Sequence, residues 1–487
     1  QSRWEGISNI SRNLKILARK KKVPIIAMTQ LNRASEDVKI DKVTLSSLGF
    51  SDSIGQDCLP KGTLIWSNRG LVRLDELDEE KDRVWDGEQF RRFKVLKEKE
   101  KEVYEVRLKN DGQVFKCSGD HGLLVMSKKL ELEWKKAKDL SPGDYVVRTE
   151  HVLEAGVEHK MSWKYSPVSS ALKTIRIPDK VDEDVAELLG IMVAEGWYAA
   201  KKDNTMSIAF GRKEVETRQY YAGLIEKLFG YVPKHKQNPK KNVDSLLIHS
   251  TEIIRWLRSV GLEAKTAREK TVPWTILQGT PEIRKAFLRG LFTGDGTVEK
   301  SGIVSTVSGS EKLTQQVYQL LRSLGFTPTI REHVMKSNGH SYWRIKVRAA
   351  DAWKFKEIGI RGAEKERRLD KRDDGVLIER QFGFDEVESI QATGVVESMY
   401  DLNVEESHRF VAEGLVVHNS DVVLGLFRTK DMELNNEMKV RMLKVREGEP
   451  KDFTIQWDLR HMRFDAIETS DDDSFLPEEI DEGTISY

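Results

Sequence analysis

Hydrophobic and polar positions follow two different patterns along this chain, and the two predict helical and β-rich stretches. Residues 2–21 carry apolar side chains at helical spacing, and residues 23–28 form a continuous apolar run. These patterns predict a helix followed by a buried parallel strand. Short β-rich runs separated by turns occupy residues 63–66, 70–72, 104–108 and 113–117. They predict a compact, mainly β domain.

A helical pattern appears twice in the middle of the chain. Residues 182–196 and 281–296 share their glycine spacing, and each ends with an acidic residue before a glycine, Glu195 and Asp295. The stretch after each helix also repeats, because a β pair leads to an amphipathic helix at residues 215–229 and again at residues 310–324. The chain therefore contains an internal repeat.

Two short motifs far apart in the sequence suggest a self-cutting backbone. In His418-Asn419-Ser420, the Asn419 amide nitrogen can attack its own main-chain carbonyl, form a succinimide and release residue 420, with His418 donating a proton. Upstream, Cys58 can attack the carbonyl before it and form a thioester. Most His-Asn-Ser sequences are ordinary turns, so the pairing of the two motifs carries the argument.

Together the two ends resemble an intein, a self-splicing insert that runs here from Cys58 to Asn419. The sequence Ser-Gly-Asp-His at residues 118–121 resembles the intein block with Thr-x-x-His, and residues 399–419 resemble the C-terminal blocks. The resemblance implies roles for eight residues in splicing: Cys58, Ser118, His121, Asp401, His408, His418, Asn419 and Ser420. Ser118 and His121 would activate the first bond, Asp401 would orient or deprotonate a nucleophile, and His408 would assist the cyclisation. Cys117 should face away from Ser118, into the core.

The internal repeat resembles the LAGLIDADG homing endonucleases, in which two motif helices pack together and their terminal carboxylates meet over double-stranded DNA. The resemblance implies that Glu195 and Asp295 are metal ligands for Mg²⁺, and that Lys270 assists the attacking water or the developing charge. Glu195 stands where Asp is commoner, and it keeps the charge while reaching further. Strand-borne DNA contacts or salt-bridged surface strands would both explain the side chains Tyr198, Arg212, Lys213, Arg344, Lys346 and Arg348.

The two flanks resemble the RecA-like motor domain of DnaB-type replicative helicases. The matching stretches are residues 10–15, 28–33, 45–57, 420–428 and 444–448. The resemblance implies that Gln30 senses the nucleotide γ-phosphate, and that Lys444 and Arg446 reach a neighbouring subunit's ATP site in a homo-hexamer on single-stranded DNA. ATP and Mg²⁺ would serve the complete helicase. The sequence holds no G-x-x-x-x-G-K-S/T loop, so we expect a partial helicase that cannot hydrolyse ATP by itself.

Composition limits the remaining possibilities. With 487 residues of which 39% are hydrophobic, the chain can build several soluble domains, and it has neither a signal-peptide pattern nor a spanning apolar run. Two cysteines exclude a disulfide framework and suit a reducing, cytoplasmic compartment. The net charge of +1 hides a basic region at residues 175–370, with 34 Lys and Arg against 24 Asp and Glu, and an acidic tail at residues 468–487. The basic region suggests a nucleic-acid surface.

The sequence thus predicts a multidomain α/β and β protein. The expected parts are a helicase flank at 1–57, an all-β, horseshoe-like Hint splicing domain at 58–174 and 371–419, an α+β endonuclease domain at 175–370, and a second helicase flank at 420–487. Splicing, which needs no cofactor, would join Asp57 to Ser420. One alternative is a replicative helicase whose endonuclease has decayed. Another is a hedgehog-like autoprocessing domain, which would need neither the terminal Asn nor a downstream domain.

Overall fold

The computed structural model describes residues 58–127, 130–163, 175–198, 205–238, 242–336, 339–370, 382–405, 407–418, 423–427, 432, 435–444, 453–458 and 463–466. The chain divides into two compact units, residues 56–419 and the two flanks, 1–55 with 420–487. Among the helices that the structure describes, none has the length and apolar character needed to cross a membrane.

The larger unit is built first from short strands. Its N-terminal part contains ten of them: β1 Leu59–Pro60, β2 Leu64–Ser67, β3 Gly70–Arg73, β4 Val84–Trp85, β5 Phe90–Arg91, β6 Phe93–Leu108, β7 Val114–Ser118, β8 Gly122–Met126, β9 Leu132–Lys136 and β10 Tyr145–Thr149. Short 3-10 turns lie at Leu74–Glu76 and Ala137–Asp139. The β runs predicted from the sequence are confirmed as strands β2, β3, β6 and β7.

The middle of this unit contains eight helices and eight strands among its described residues. The helices are α1 Glu183–Glu195, α2 Val215–Phe229, α3 Thr251–Ser259, α4 Trp274–Leu277, α5 Pro281–Asp295, α6 Glu311–Ser323, α7 Phe355–Ile358 and α8 Ala363–Asp370. The strands are β11 Gly196–Tyr198, β12 Met206–Gly211, β13 Lys234–Asn238, β14 Val243–Ile248, β15 Gly296–Val298, β16 Val304–Ser308, β17 Pro328–Val334 and β18 Ser341–Val347. A 3-10 segment, Ala349–Lys354, precedes α7.

This middle region repeats itself, as the sequence predicts. Its strands form two four-stranded antiparallel sheets of the same order, β11-β12-β14-β13 and β15-β16-β18-β17. The helix that leads into each sheet begins with a side-chain cap, since Asp182 accepts from the Val185 amide and Thr280 from the Ile283 amide. The structure therefore confirms the two predicted motif helices and the amphipathic helices α2 and α6.

Three strands complete the unit: β19 Phe382–Val404, β20 Arg409–Ala412 and β21 Leu415–His418. They join the N-terminal strands in one 13-stranded sheet of order β5-β4-β2-β20-β21-β8-β10-β19-β6-β7, to which β1, β3 and β9 add at the sides. The long strands β6 and β19 pair from Val387 opposite Leu108 to Val404 opposite Phe93. Segments from opposite ends of the unit are thus interleaved, which brings both ends into one sheet.

Two hydrophobic cores hold the unit together. One lies within the β sheet and includes Ile65, Val106, Leu123 and Val417. The other surrounds α1 and α5 and continues into the sheet, where it takes in Trp66, Val411 and Val416. Because the second core is shared, the helical middle packs directly against the β part.

In the flanking unit, the described residues form one four-stranded antiparallel sheet. Its strands are β22 Val423–Phe427, β23 Glu437–Lys444, β24 Phe453–Asp458 and β25 Arg463–Ala466, paired in chain order. The strand predicted after Ser420 is confirmed as β22. The predicted parallel strand at residues 23–28 lies outside the described residues, as does the acidic tail.

Candidate functional site

Cys58 lies at the edge of the interleaved sheet and is fully buried. Strand β1 pairs with β19 so that Leu59 faces Tyr400 and Pro60 faces Met399. Cys58 immediately precedes β1, and Asp401, which is only 1% exposed, immediately follows Tyr400 on β19. A thiol and a carboxylate predicted from widely separated sequence blocks therefore lie next to the same pair of strands.

Ser118 contacts the nitrogen of the bond that Cys58 would cleave. Its Oγ accepts a hydrogen bond from the Cys58 amide at 3.2 Å, and its own amide donates to the Cys58 carbonyl at 2.9 Å. The neighbouring Cys117 points into the core, as predicted from strand alternation. The hydroxyl is thus placed against the amide nitrogen of the peptide bond between residues 57 and 58.

His121 ends the tight loop that begins at Ser118. The His121 amide donates to the Ser118 carbonyl at 3.0 Å, and the imidazole is fully buried beside the Phe115 ring, with ring centroids 6.2 Å apart. Strand β8 starts at the next residue, Gly122. The predicted pair Ser118 and His121 is therefore held by one turn between β7 and β8.

The other end of the unit enters the same sheet through the hairpin β20–β21. Val417 pairs with Leu123 of β8, so the strand that ends in His418 lies beside the strand that begins after His121. His418 is 5% exposed and pairs with Arg409, the residue after His408. His408 has φ of 53°, a conformation uncommon for a residue other than glycine.

The structure describes six of the eight residues predicted for splicing, and it joins Cys58 to Ser118, and Ser118 to His121, by hydrogen bonds. The six are Cys58, Ser118, His121, Asp401, His408 and His418. The remaining two, Asn419 and Ser420, lie outside the described residues, and so does Asp57, which precedes the cysteine. Their roles stay predictions.

A second site lies where the motif helices α1 and α5 cross. A Cβ atom added to Gly190 would stand 2.1 Å from the Phe287 carbonyl oxygen, and one added to Gly290 would stand 2.1 Å from the Glu187 carbonyl oxygen. The two backbones are therefore in direct contact, which only glycine allows at these positions. This crossing brings the C-terminal ends of the two helices, Glu195 and Asp295, close to each other.

Both carboxylates have a raised pKa. Loss of hydration raises the pKa of Glu195, and the charge of Asp295 raises it further. Although Asp295 is in contact with solvent, loss of hydration also raises its pKa, while Lys270 and Lys365 act in the opposite direction. Such a pair favours a bound cation, because each carboxylate is disfavoured in its charged form without one.

Lys270 and a lysine that the sequence analysis missed occupy equivalent places. The Lys270 Nζ donates to the carbonyls of Val193 and Ala194, at 2.6 and 2.8 Å. The Lys365 Nζ donates to the carbonyl of Thr293 at 2.7 Å, at the matching position of α5. Burial lowers the pKa of both lysines, and the nearby carboxylates counteract that effect.

Lys365 escaped notice because it lies in a strongly charged segment, Glu-Lys-Glu-Arg-Arg. The signal that could have found it is the repeat itself. Each lysine stands at a similar distance along the chain after the acidic residue of its own repeat, Lys270 after Glu195 and Lys365 after Asp295.

The predicted metal site contains two carboxylates and no larger ligand cluster. Among the described residues, no group of three or more His, Cys, Asp or Glu side chains is arranged to hold a metal ion. Mg²⁺ commonly binds through one or two carboxylates and completes its shell with water and substrate phosphates. Glu195 and Asp295 fit that mode.

The predicted DNA contacts have mixed surroundings. Lys346 forms an ion pair with Glu299 at 3.1 Å, and Arg212 donates to the Asn238 carbonyl at 2.8 Å. Arg344 and Lys213 are exposed, and Arg348 is partly buried before the 3-10 segment. The side chain of Tyr198 lies outside the described residues. Salt-bridged and open basic positions thus occur side by side.

Of the residues predicted for nucleotide sensing, Lys444 is the last residue of β23. Gln30 and Arg446 lie outside the described residues. The structure therefore leaves these three assignments as predictions.

Two family models match the chain. The intein splicing domain matches residues 66–419, and the DnaB-like helicase C terminal domain matches residues 1–116. Since the first match covers well over half of the chain, the chain belongs to the intein splicing family. The second identifies DnaB-like helicase sequence at its N-terminal flank. The two matches overlap at residues 66–116, which the structure assigns to the β sheet of the larger unit.

Relatives in other hosts match part of the chain. The replicative DNA helicase DnaB of Synechocystis is 24% identical over 368 residues, 71% of this chain and 38% of the relative. The replication factor C small subunit of Methanocaldococcus jannaschii is 28% identical over 253 residues, 52% of this chain and 12% of the relative. The DNA polymerase of Thermococcus litoralis is 28% identical over 254 residues, 48% and 14% respectively. The chain thus spans well under half the length of these relatives.

Solved structures overlap with the chain over a smaller part. The homing endonuclease I-DmoI in complex with DNA and Ca covers 38% of this chain and 95% of its own, at 16% identity and a TM-score of 0.29. The N-terminal LAGLIDADG domain of DUF199/WhiA covers 38% and 86%, at 16% identity and a TM-score of 0.27. The two-fold arrangement is seen directly in the paired helices and the two equivalent sheets of this chain.

Proposed function

We propose that this chain is a splicing precursor in which residues 58–419 excise themselves and join Asp57 to Ser420. The observation that carries the proposal is the hydrogen bond between the Ser118 Oγ and the Cys58 amide. A hydroxyl thus contacts the nitrogen of the peptide bond next to the thiol, and the buried His121 ends the same short loop.

The first step makes a thioester. The Cys58 thiolate attacks the Asp57 carbonyl carbon, the bond to the Cys58 nitrogen breaks, and that nitrogen takes up a proton. His121 supplies the proton, and Ser118 orients the nitrogen. Asp401, in the opposite strand, orients or deprotonates a nucleophile.

The second half resolves the intermediate. The Ser420 hydroxyl attacks the thioester, which frees the Cys58 thiol and leaves an ester. The Asn419 side-chain nitrogen then attacks its own carbonyl carbon, and the bond to Ser420 breaks as a succinimide forms. His418 and His408 assist by donating a proton to the departing amine. The freed amine takes the acyl group from the ester oxygen, so a normal peptide bond joins Asp57 and Ser420.

Mass spectrometry of the expressed chain tests the proposal. Splicing yields a 362-residue insert and a joined 125-residue product from the two flanks. In Asn419→Ala the amide that cyclises is gone, while the thioester still forms. Hydroxylamine or a thiol should therefore cleave this variant after Asp57. An unprocessed parent chain under all refolding conditions would contradict the proposal.

We further propose that residues 175–370 form a site-specific DNA endonuclease. The observation that favours it is the meeting of Glu195 and Asp295 at the helix crossing, each end capped by an equivalent lysine. Glu195 and Asp295 would hold Mg²⁺, which would activate water and stabilise charge on the scissile phosphates. The basic strands would bind the phosphates of double-stranded DNA.

The joined flanks are proposed to form part of a DnaB-type helicase. In the complete host protein, Gln30 would sense the γ-phosphate of ATP, and Lys444 and Arg446 would reach a neighbouring subunit's site in a hexamer on single-stranded DNA. We assign residues 1–57 and 420–487 to this host, and residues 58–174 with 371–419 to an all-β Hint domain. The DnaB-like family match at the N-terminal flank supports this assignment.

A further inference from the structure

A short segment between β8 and β10 is joined by ion pairs and hydrogen bonds to the loop that carries Ser118 and His121. The Asp120 carboxylate lies between two lysines of this segment, 3.1 Å from the Lys136 Nζ and 2.7 Å from the Lys138 Nζ. Two backbone hydrogen bonds of 2.8 Å add to these contacts. One runs from the Ala137 amide to the His121 carbonyl, and the other from the Lys138 amide to the Gly119 carbonyl. We call residues 134–138 the clamp segment.

The start of the clamp segment touches the other end of the splicing unit. The Trp134 ring packs against the His418 imidazole, with centroids 4.8 Å apart and planes at 59°. Both residues stand on strands that neighbour β8, since β9 and β21 each pair with it. One short segment therefore contacts the groups assigned to the first step and a group assigned to the last.

We propose that Asp120 and Trp134 are positioning residues for the two half-reactions. Asp120, anchored by the clamp segment, aligns Ser118 and His121 with the Asp57–Cys58 bond. Trp134 fixes the plane of the His418 imidazole for proton donation during Asn419 cyclisation. The inference rests on the proposed splicing function and extends it to residues that take no part in bond making.

The energetics favour a role in alignment over one in stability. The lysine and aspartate side chains of the two ion pairs are between 21% and 44% exposed, and such pairs typically contribute about 1 kcal/mol or less to stability. A displacement of about 1 Å in a reacting geometry can reduce a rate by about a hundredfold. Loss of the clamp should thus affect rates far more than folding.

Two backgrounds separate the half-reactions. In Asn419→Ala, cleavage after Asp57 by dithiothreitol reports thioester formation alone. In Cys58→Ala, cleavage after Asn419 reports cyclisation alone. Each background receives Asp120→Asn, Asp120→Glu, Trp134→Leu or Trp134→Phe. Rates are followed by gel and mass spectrometry on the full chain, and thermal unfolding of each variant is measured in parallel.

The expected results form a crossed pattern. Asp120→Asn slows the thiol cleavage by about tenfold to about a hundredfold and leaves the cyclisation rate within about twofold. Trp134→Leu slows cyclisation by about tenfold to about a hundredfold and leaves the thiol cleavage rate within about twofold. Asp120→Glu and Trp134→Phe recover part of each rate. Lys135→Met is the matched control. Lys135 lies on β9, as Trp134 does, and the substitution removes its 2.5 Å ion pair with Asp144, which is not part of the loop that carries Ser118 and His121. It should change neither rate.

The salt dependence of the two cleavage rates tests the inference without any substitution in the clamp segment. At about 1 M NaCl the screening length falls to about 3 Å, so thiol cleavage in Asn419→Ala should slow while cyclisation in Cys58→Ala does not. If Asp120→Asn fails to fold, the salt dependence of the thiol cleavage rate tests the role of Asp120 instead. If Trp134→Leu fails to fold, the cyclisation rate of Trp134→Phe tests the role of Trp134. A thiol cleavage rate unchanged in Asp120→Asn, or equal slowing of both half-reactions by either residue, overturns the inference. No cleavage in either unmodified background would instead reject the splicing function itself.

Discussion

At the scale of single residues, the assigned chemistry depends on which backbone atom each side chain meets. Strand alternation in the sequence is enough to predict that Cys117 points into the core and Ser118 to the other side. The hydrogen bond from the Cys58 amide to Ser118 depends on β1 meeting β7 in space, and no local pattern encodes that meeting. Lys365 differs from this case, because its charged surroundings concealed it although the internal repeat gives it a position equivalent to that of Lys270.

Loss of the Cys58 thiol should separate the two ends of the reaction. In Cys58→Ala no thioester can form, so the joined flanks should be absent. Slow cleavage after Asn419 should persist, because succinimide formation needs no acyl transfer. Masses of the products after overnight incubation check both points. Joined flanks in this variant would show that another nucleophile starts the reaction.

Ser118 offers a graded test of the contact with the scissile nitrogen. Ser118→Ala removes an acceptor from a buried amide, which typically costs about 1 kcal/mol and so about a fivefold to tenfold loss of rate. Ser118→Thr keeps the hydroxyl and should stay within about twofold. Dithiothreitol cleavage in Asn419→Ala measures the rate. Equal rates for the Ala and Thr variants would remove Ser118 from the site.

At the scale of elements, the helix pair α1 and α5 shows how far periodicity reaches. The sequence predicts both helices, their acidic ends and their shared glycine spacing. It cannot show that Gly190 and Gly290 meet each other's helix backbone, or that two lysines cap the carbonyls at the helix ends. Those contacts need the crossing geometry, which is set by packing of the whole core.

Gly290→Ala should destabilise the larger unit, because its Cβ would overlap the Glu187 carbonyl. Overpacking of this kind typically lowers the unfolding free energy by about 1–3 kcal/mol. Gly223→Ala is the control. It lies within α2 with nothing within 4 Å of the added atom, and gains up to about 1 kcal/mol from helix propensity. Urea unfolding of both variants measures the difference. A stabilised Gly290→Ala would mean that the helices cross elsewhere.

At the scale of the whole molecule, buried polar contacts link helix α6 to the β sheet. The Tyr318 hydroxyl donates to the Asp111 carboxylate, which also meets the Arg148 guanidinium at 2.7 Å. Arg148 reaches Asp385 at 3.0 Å, and burial raises the pKa of Asp385 to about 6. No pattern in the sequence predicts this buried network, since its members come from distant segments. The two proposed activities therefore share a frame although their reacting groups are separate.

The hairpin that ends in His418 should make stability depend on pH. Glu413, in its turn, has its pKa raised by burial from 4.5 to about 7. The folded chain thus binds this proton more tightly than the unfolded chain, so stability falls as pH rises from about 4.5 to about 7. Glu413→Gln should unfold at a higher temperature than the parent at pH 8, with little difference at pH 4. Glu100→Gln, which removes an exposed carboxylate, controls for charge. A Glu413→Gln variant that tracks the parent at every pH would contradict the assignment.

The nuclease should cut helicase-coding DNA that lacks the insert, near the codons for Asp57 and Ser420, with Mg²⁺. Insertion interrupts that target, so the host allele is protected. Glu195→Gln or Asp295→Asn should each abolish linearisation of an insert-free plasmid, because each strand needs one acid at the shared metal site. Most DNA affinity should remain, since it comes from phosphate contacts on the basic strands. Splicing should also continue, because these carboxylates lie outside the interleaved sheet.

The assay follows linearisation, gel-shift affinity and spliced product in one preparation. Lys365→Met and Lys270→Met are included to test the paired lysines. Full cutting by either acid variant would reject the metal site, and no cutting by the parent would show a helical region kept for folding alone.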